Sequence, residues 1–256
     1  MLHFFEKGQG PALLFLHGFC ETGEMWRHLA DSLSSQYRVL CPDLPGFGSS
    51  PITHPITCLE DVAEQLEEWI DALQIQQPIV LGHSLGGYVA LALLERMGNR
   101  IKAIGLLHST AYADDLDKKE MRNRVLIFLN KHGAAKFVSS FVPQLFPEHR
   151  REELADATAH AIEDGQRSSL EGLLAYTVAM RDRQDRIAVL QQFAGPKLLL
   201  AGTLDGAVKI DSSRAQQQYF THYTELEGVG HLGMVEEKEK TLTVVQEFVR
   251  EVLSSS

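Results

Sequence analysis

The stretch LGHSLGGYVA, residues 81–90, sets one serine among glycines at the point where an apolar run gives way to helix-forming residues. The apolar run before it, PIVLGHS at 78–84, has the length and composition of a strand buried in a parallel sheet. Gly82 and Gly86 flank Ser84 with Gly-x-Ser-x-Gly spacing. Strand, sharp turn and helix in this order are the context of a nucleophile elbow, where glycines leave room for closely packed backbone. The alternative is a glycine-rich turn in which Ser84 is incidental.

The rest of the chain alternates in the same way between apolar runs and helical patterns. Further runs that predict strands are ALLFLHG at 12–18, YRVLCPDL at 37–44, IKAIGLLHS at 101–109, PKLLLAG at 196–202 and HYTELEGV at 222–229. LHFFEKGQG, near the start, alternates less cleanly and predicts an edge strand. A helix follows Thr57 and Glu60, which have the spacing of a capping box. We therefore expect an α/β fold, with a mostly parallel sheet and helices on both of its faces.

Residues 110–190 interrupt this alternation, because they are helical in character and contain no strand run. We predict a core of residues 1–109 and 191–256, with residues 110–190 inserted before the last strands as a helical cap. Large apolar residues of the insertion either line an apolar pocket or form the cap's own core, and we expect the second for most of them. They include Leu126, Phe128, Phe137, Phe141 and Phe146.

Composition disfavours several classes of protein. A length of 256 residues suits one sizeable domain, and a net charge of −10 disfavours nucleic-acid binding, which depends on Lys and Arg. No run of about 18 apolar residues predicts a membrane span, and PALLFLHGF lacks the flanks of a signal peptide. Three cysteines without C-x-x-C spacing disfavour a disulfide framework or a zinc site. We therefore expect a cytoplasmic protein without nucleic-acid or membrane partners.

Two later strand ends carry the residues that a reactive serine needs. Such a serine requires a base to accept its proton, and the base requires a carboxylate to orient it. Asp205 follows the apolar run at 196–202, and His231 follows the run at 222–229. Taken singly, His231 also fits a polar loop and Asp205 a turn, but the chain order Ser84, Asp205, His231 is that of a catalytic triad on this architecture.

Acyl transfer further needs two N–H groups directed at the oxyanion of the tetrahedral intermediate. We expect these donors to be the amides of Leu85, next to the serine, and of Phe19, in the loop after ALLFLHG. For His17, in the same loop, we expect a structural hydrogen bond. For His83, which precedes the serine, we expect packing or pocket lining, and we expect no metal ligand in the chain.

Five motifs in chain order resemble the α/β-hydrolase superfamily over nearly the whole sequence. They are HGF at 17–19, DLPGFGSS at 43–50, GHSLGG at 82–87, AGTLD at 201–205 and GVGHL at 228–232. The helical insertion is similar to the cap of small carboxylesterases and enol-lactonases. The resemblance implies enzymes that need no cofactor, and a structural Asp43 that fixes the turn after it.

Some residues of this sequence differ from those of other branches of the superfamily and so disfavour those branches. Ser84 disfavours the haloalkane dehalogenases and epoxide hydrolases, which have an aspartate nucleophile, and HGFC disfavours the esterases and lipases with an HGGG loop. In some members of the superfamily the triad acid follows this apolar run, but here the run ends in His108 and Ser109, neither of them acidic, which strengthens Asp205 as the triad carboxylate.

The sequence thus predicts a serine hydrolase that cleaves a small or medium carboxylic ester through an acyl-enzyme. Hydrolysis of a lactone, a thioester or the C–C bond of a diketone is an alternative that uses the same triad. A non-catalytic small-molecule receptor is a further alternative, which the filled triad positions disfavour.

Overall fold

The computed structural model describes residues 2–254 and contains, among them, one seven-stranded sheet. The strands are β1 (Phe4–Lys7), β2 (Ala12–Leu16), β3 (Arg38–Pro42), β4 (Ile79–His83), β5 (Ala103–Leu107), β6 (Lys197–Gly202) and β7 (His222–Leu226). They lie in the order β1-β3-β2-β4-β5-β6-β7, with β1 antiparallel to β3 and the other pairs parallel. Each strand lies within its predicted run, and the predicted α/β fold is confirmed.

Burial explains why the central strands are continuous apolar runs. Every residue of β4, β5 and β6 is buried, as is most of β2, because helices cover both faces of a parallel sheet. The edge strands β1 and β7 are half-buried along most of their length, and their sequences are correspondingly more polar.

The helices are α1 (Arg27–Leu33), α2 (Leu59–Ala72), α3 (Leu85–Met97), α4 (Leu116–His132), α5 (Ala134–Phe141), α6 (Ala155–Gly165), α7 (Leu170–Asp182), α8 (Ile187–Gln192), α9 (Ile210–Gln216), α10 (Gly233–Glu236) and α11 (Lys238–Ser254). The connection from β2 to β3 through α1 runs in one direction across the sheet, and the connections through α2 and α3 run in the other. Because such crossovers are right-handed, α1 lies on one face of the sheet and α2 and α3 lie on the other. Accordingly α1 packs with α11, and α2 packs with α3.

The start of α2 differs by one residue from the sequence prediction. The helix begins at Leu59 with Cys58 as its N-cap, so the capping box predicted for Thr57 and Glu60 is wrong. Asp61 takes the role instead, because its carboxylate accepts the N–H groups of Cys58 (3.1 Å) and Thr57 (2.7 Å). The Thr57 hydroxyl donates to the same carboxylate, at 2.8 Å, and is not a helix cap.

Between β5 and β6 the described chain forms helices α4 to α8 and no strand. The division into core and cap at residues 110 and 190 stays a prediction. Of the five large apolar residues that the sequence analysis named in the insertion, Phe137 and Phe146 are buried. The other three, Leu126, Phe128 and Phe141, are half-buried. None of the helices in residues 2–254 is long and apolar enough to cross a membrane.

Strand β2 is the point at which the direction of the chain across the sheet changes. The strand that follows it, β3, pairs on one side of β2, and β4 pairs on the other. The loops after β2 and β4 therefore leave the same edge of the sheet side by side. Open α/β sheets bind their ligands at such a switch point, beyond the carboxyl ends of the strands. This topology brings residues 17–22 beside Ser84.

Candidate active site

Ser84 occupies a strained turn between β4 and α3. Its φ of 49° and ψ of −115° are unusual for a residue other than glycine and cost about 1–3 kcal/mol. The neighbouring glycines permit this turn, because a Cβ on Gly82 would collide with the Gly86 carbonyl and a Cβ on Gly86 with the Leu16 carbonyl. Ser109 Oγ donates to the Ser84 carbonyl at 2.8 Å and holds the turn in place. Ser84 is half-buried, while the residues on either side of it are buried.

Asp205 and His231 form a buried hydrogen-bonded pair. Nδ1 of His231 lies 2.8 Å from Oδ2 of Asp205, while Oδ1 of Asp205 accepts the N–H groups of Ala207 and Val208, each at 2.8 Å. Burial by itself raises the pKa of this carboxyl group, but His231 and His108 outweigh it and hold the pKa of Asp205 well below its ordinary value. Asp205 is therefore a carboxylate that orients the Nδ1–H of His231 and leaves Nε2 free to accept a proton.

Three contacts fix the loop that carries His231. The Glu236 carboxylate accepts the N–H groups of the residues immediately before and after the histidine, at 2.9 and 3.1 Å. The N–H of His231 donates to the carbonyl of Leu145, in the insertion, at 2.9 Å. The carbonyl of His231 accepts from Nε2 of His83, also at 2.9 Å. The position of His231 thus depends on groups from the core and from the insertion.

Ser84 and His231 do not form a hydrogen bond with each other in the described part of the chain. They are connected through His83, which precedes the serine and whose ring centre is 4.8 Å from that of His231. A nucleophile and its base are often far apart or poorly aligned without substrate, and approach when it binds. The structure therefore pairs Asp205 with His231 and leaves Ser84 as the third predicted member.

Phe19 and Leu85 lie at the positions predicted for the oxyanion donors. Leu85 is the first residue of α3, where an N–H has no acceptor within the helix and the helix dipole favours negative charge. Neither amide donates to another group of residues 2–254. His17 fixes the Phe19 loop, since its Nε2 accepts the Leu44 N–H at 2.9 Å and its Nδ1 donates to the Gly18 carbonyl at 2.8 Å.

Three buried groups at the site were missed by sequence reasoning. Glu21 lies 2.9 Å from Nδ1 of His83, and Glu236 holds the His231 loop. Glu21 follows His17 of the HGF motif, and Glu236 follows His231 of the GVGHL motif, in each case within five residues. This short spacing is a sequence signal that could have indicated both acids. The third is His108, whose Nδ1 is 3.4 Å from Oδ2 of Asp205, and burial lowers the pKa of its ring.

Asp43 has the structural surroundings that the resemblance implies. Its Oδ1 accepts the Gly23 N–H and its Oδ2 the Ser49 N–H, each at 2.8 Å. The carboxylate therefore joins the end of β3 to the turn that follows it and to the loop after β2.

Within residues 2–254, one group of side chains has the residue types and spacing for a metal ion, namely His108, Asp205 and His231. Both oxygens of Asp205 are already engaged by His231 and by two backbone amides. This donor set fits a hydrogen-bonded acid–histidine pair, and we derive no metal-dependent step from it.

Aromatic side chains from the core and the insertion meet at Phe19. The ring centre of Phe19 lies 6.0 Å from that of Phe137 and 6.1 Å from those of Phe47 and Phe141, all with edge-on geometry. Tyr176 extends this cluster, with its ring centre 5.0 Å from that of Phe47. Phe19, whose amide is a candidate oxyanion donor, therefore packs its own side chain among aromatic rings from both parts of the chain.

Comparison with known proteins identifies the family. The family described as alpha/beta hydrolase fold matches residues 11–238 of this chain. The chain therefore belongs to the α/β-hydrolase family, and the resemblance inferred from its motifs is confirmed.

Named relatives extend over nearly the whole chain. The 3-oxoadipate enol-lactonase 1 of Acinetobacter baylyi is 26% identical over 246 residues, which cover 94% of this chain and 90% of the relative. The pimeloyl-[acyl-carrier protein] methyl ester esterase of Aeromonas salmonicida is 30% identical over 257 residues, which cover 94% and 96%. A solved structure of a thermophilic esterase from Thermogutta terrifontis has a TM-score of 0.91 and 26% identity, covering 98% of this chain and 93% of that one. The protein is thus a hydrolase similar to esterases and enol-lactonases.

Proposed function

We propose that this hydrolase cleaves a small or medium carboxylic ester, with Ser84 as nucleophile, His231 as base and Asp205 as the orienting carboxylate. The observation that carries the proposal is the strained turn at Ser84 together with the 2.8 Å hydrogen bond between His231 and Asp205. Strain at a serine persists where the surrounding structure imposes it, and it concentrates at functional sites. Similarity to esterases along almost the entire chain supports an ester as the substrate.

The chain's own groups account for each step of acyl transfer. Oγ of Ser84 attacks the carbonyl carbon while its proton passes to Nε2 of His231, and the new oxyanion accepts the N–H groups of Phe19 and Leu85. His231 then gives the proton to the leaving alcohol, and the acyl group remains on Ser84. Asp205 stays ionised and stabilises the imidazolium. Water, activated by His231, attacks the acyl-enzyme and releases the acid.

An apolar acyl group fits the surroundings of the oxyanion position. The rings of Phe47, Phe137 and Phe141 pack around the side chain of Phe19, the residue that carries one candidate oxyanion amide, and of the four only Phe141 keeps an appreciable part of its side chain exposed. Aromatic and aliphatic walls with a few directed N–H groups are typical of ligand sites that bind apolar molecules. We infer an ester of an aliphatic or aromatic acid rather than of a highly charged one.

A lactone is the second candidate substrate, favoured by the similarity to the Acinetobacter enol-lactonase. The chemical steps would be the same, except that the leaving alcohol stays attached to the acyl group through the opened ring. Rates on p-nitrophenyl esters and on unsubstituted and enol lactones, measured side by side, distinguish the two candidates.

A fluorophosphonate probe tests the nucleophile directly, because it reacts covalently with activated serines. We expect the wild-type protein to be labelled and to hydrolyse p-nitrophenyl butyrate, and Ser84→Ala to lose both properties. Ser35→Ala, at an exposed position after α1, is the matched control and should keep both the label and the activity. Labelling of Ser84→Ala equal to that of wild type would contradict the proposal.

A further inference from the structure

His83, the last residue of β4, lies completely buried between two other loops of the site. Its Nδ1 is 2.9 Å from Oε2 of Glu21, in the loop after β2. Its Nε2 is 2.9 Å from the carbonyl oxygen of His231, in the loop after β7. The chain continues from His83 directly into Ser84. One imidazole ring therefore contacts the loops of the oxyanion donors, the nucleophile and the base.

The partners of this ring determine how many protons it carries. A carbonyl oxygen can only accept a hydrogen bond, so Nε2 of His83 must be an N–H donor. Oε2 of Glu21 also accepts the N–H of Gly18 at 2.5 Å, which is the environment of an ionised carboxylate. Nδ1 of His83 must then be an N–H donor as well. With both nitrogens donating, the ring is an imidazolium cation opposite a buried carboxylate.

The pKa directions agree with this geometry. Burial by itself lowers the pKa of a histidine, but the charge of Glu21 and the hydrogen bond to it outweigh burial, and the pKa of His83 is raised. Burial likewise raises the pKa of a carboxyl group, but His83 outweighs it, and the pKa of Glu21 is lowered. Each partner thus stabilises the charged form of the other.

Gly18 is the residue that makes room for the pair. A Cβ at this position would lie 2.6 Å from Oε2 of Glu21 and 2.7 Å from Nδ1 of His83, both closer than real Cβ contacts allow. The glycine of the HGF motif therefore lets the carboxylate and the ring approach the backbone of the loop. Its N–H completes the arrangement by donating to Glu21.

We propose that Glu21 and His83 form a carboxylate–imidazolium pair that positions the three loops of the active site relative to one another. The proposal rests on the function proposed above and adds two positioning residues to it. The charged ring donates a stronger hydrogen bond to the His231 carbonyl than a neutral ring would. It thereby fixes the base relative to Ser84 and, through Glu21, relative to the loop that carries the Phe19 amide.

The predicted effect of losing the charge is on turnover rather than on substrate binding. A displacement of reacting groups by about 1 Å costs about 100-fold in rate, whereas neither Glu21 nor His83 belongs to the aromatic cluster around Phe19. Glu21→Gln keeps the shape of the side chain and removes its charge. His83 then loses its charged partner and becomes neutral, with its Nε2 still donating to His231. Because Oε2 of Glu21 serves both His83 and the Gly18 N–H, an amide NH2 that donates to Nδ1 leaves the Gly18 N–H without its acceptor.

The experiment combines ring protonation with kinetics. Protein labelled with 13C and 15N is measured by NMR at pH 7, with the His83 signals assigned by through-bond correlation of the ring with the backbone. We expect two protonated ring nitrogens for His83 in wild type and in Ser84→Ala, and one in Glu21→Gln. For p-nitrophenyl butyrate, we expect kcat of Glu21→Gln to fall about 10- to 100-fold with KM changed less than about twofold.

Glu24→Gln is the matched control, because Glu24 lies three residues away, is partly exposed and pairs with Arg27. It should change neither the His83 signals nor kcat. A wild-type His83 ring with a single proton overturns the proposal, as does a folded Glu21→Gln protein with wild-type kcat. The ring measurement needs only the wild-type chain, so it decides the question even if a variant fails to fold. Absence of label and of hydrolysis in the wild type would instead refute the proposed function and leave the His83 result standing separately.

Discussion

The strand-end loops and the inserted segment meet at Phe19, Thr22 and His231, yet they are built differently. In the loops, the polar side chains of Thr22, Asp205 and His231 are buried, and each has a hydrogen-bond partner in another part of the chain. In the insertion, α4 buries one residue, Leu129, among its seventeen, while the side chain of Ile127 is 68% exposed. The loops hold atoms in defined positions, whereas much of the insertion faces solvent.

The two regions nevertheless touch at the site itself. Asp164 of α6 accepts the N–H of Thr22 at 3.0 Å, and the Leu145 carbonyl accepts the N–H of His231. Phe137 and Phe141 of α5 reach Phe19 from the same side. From this difference and the function proposed above we infer a division of roles, in which the loops fix the reacting atoms and the insertion selects the molecules that reach them. Substitutions in the loops should then lower kcat, and substitutions in the insertion should alter KM and chain-length preference.

Among the loop substitutions, Asp205→Asn is expected to lower kcat the most. An amide cannot orient the Nδ1–H of His231 as a carboxylate does, and kcat should fall about 10⁴-fold with little change in KM. Asp211→Asn, an exposed position in the first turn of α9, is the control and should keep wild-type kcat. Steady-state rates on p-nitrophenyl butyrate measure both variants. A loss of less than about tenfold in Asp205→Asn would show that His231 does not depend on this carboxylate.

A smaller loss is expected from Gly86→Ala, which tests the elbow without touching a reacting group. The added Cβ would collide with the carbonyl oxygens of Leu16 and His17, so α3 or the Phe19 loop must move. A shift of this kind should lower kcat about 100-fold. Gly206→Ala makes the same substitution where nothing lies within 4 Å of the new Cβ, and it should be nearly neutral. Equal kcat in the two variants would mean that the elbow tolerates displacement.

Local patterns were sufficient to predict the strands, the elbow and the chain order of the candidate triad. The buried strands are short runs of Leu, Ile and Val, and such runs are visible without knowledge of their neighbours. Ser84, Asp205 and His231 each follow a strand within a few residues, so locating the strands located them as well. The helix start at Leu59 was misplaced by one residue, because Thr57 and Glu60 offer the same spacing as Cys58 and Asp61.

Local sequence patterns could not predict the long-range contacts that hold the site residues in place. Glu21 and His83 are separated by 62 positions along the chain, and they meet because β2 and β4 are neighbours in the sheet. A histidine beside a nucleophile can equally pack or line a pocket, which is the role predicted for His83. The contact of His231 with Leu145 depends on how the insertion folds back, and no periodic pattern in that segment indicates it.

On the side of the insertion, Phe141→Ala should change substrate preference more than turnover. The ring of Phe141 lies edge-on to Phe19 and is half-buried, so its removal takes an apolar wall from the expected acyl site. Loss of one such contact is worth about 1–3 kcal/mol in an apolar pocket. We expect KM for p-nitrophenyl octanoate to rise about tenfold or more, with the acetate ester unaffected. An equal fall in kcat on both esters would show that Phe141 affects turnover, as the loop residues are expected to do, and would contradict the inferred division of roles.

The smallest effect is expected at Ile127, on the outer side of α4. Its side chain is 68% exposed, so little apolar surface is lost from the interior when it becomes polar. Ile127→Gln should change the free energy of unfolding by less than about 0.5 kcal/mol and leave KM unchanged for every ester. Leu129→Ala, two residues along the same helix and completely buried, should by contrast cost about 2–5 kcal/mol. If urea unfolding and ester kinetics both responded to Ile127→Gln, the outer side of α4 would have a role in the protein that its exposure does not predict.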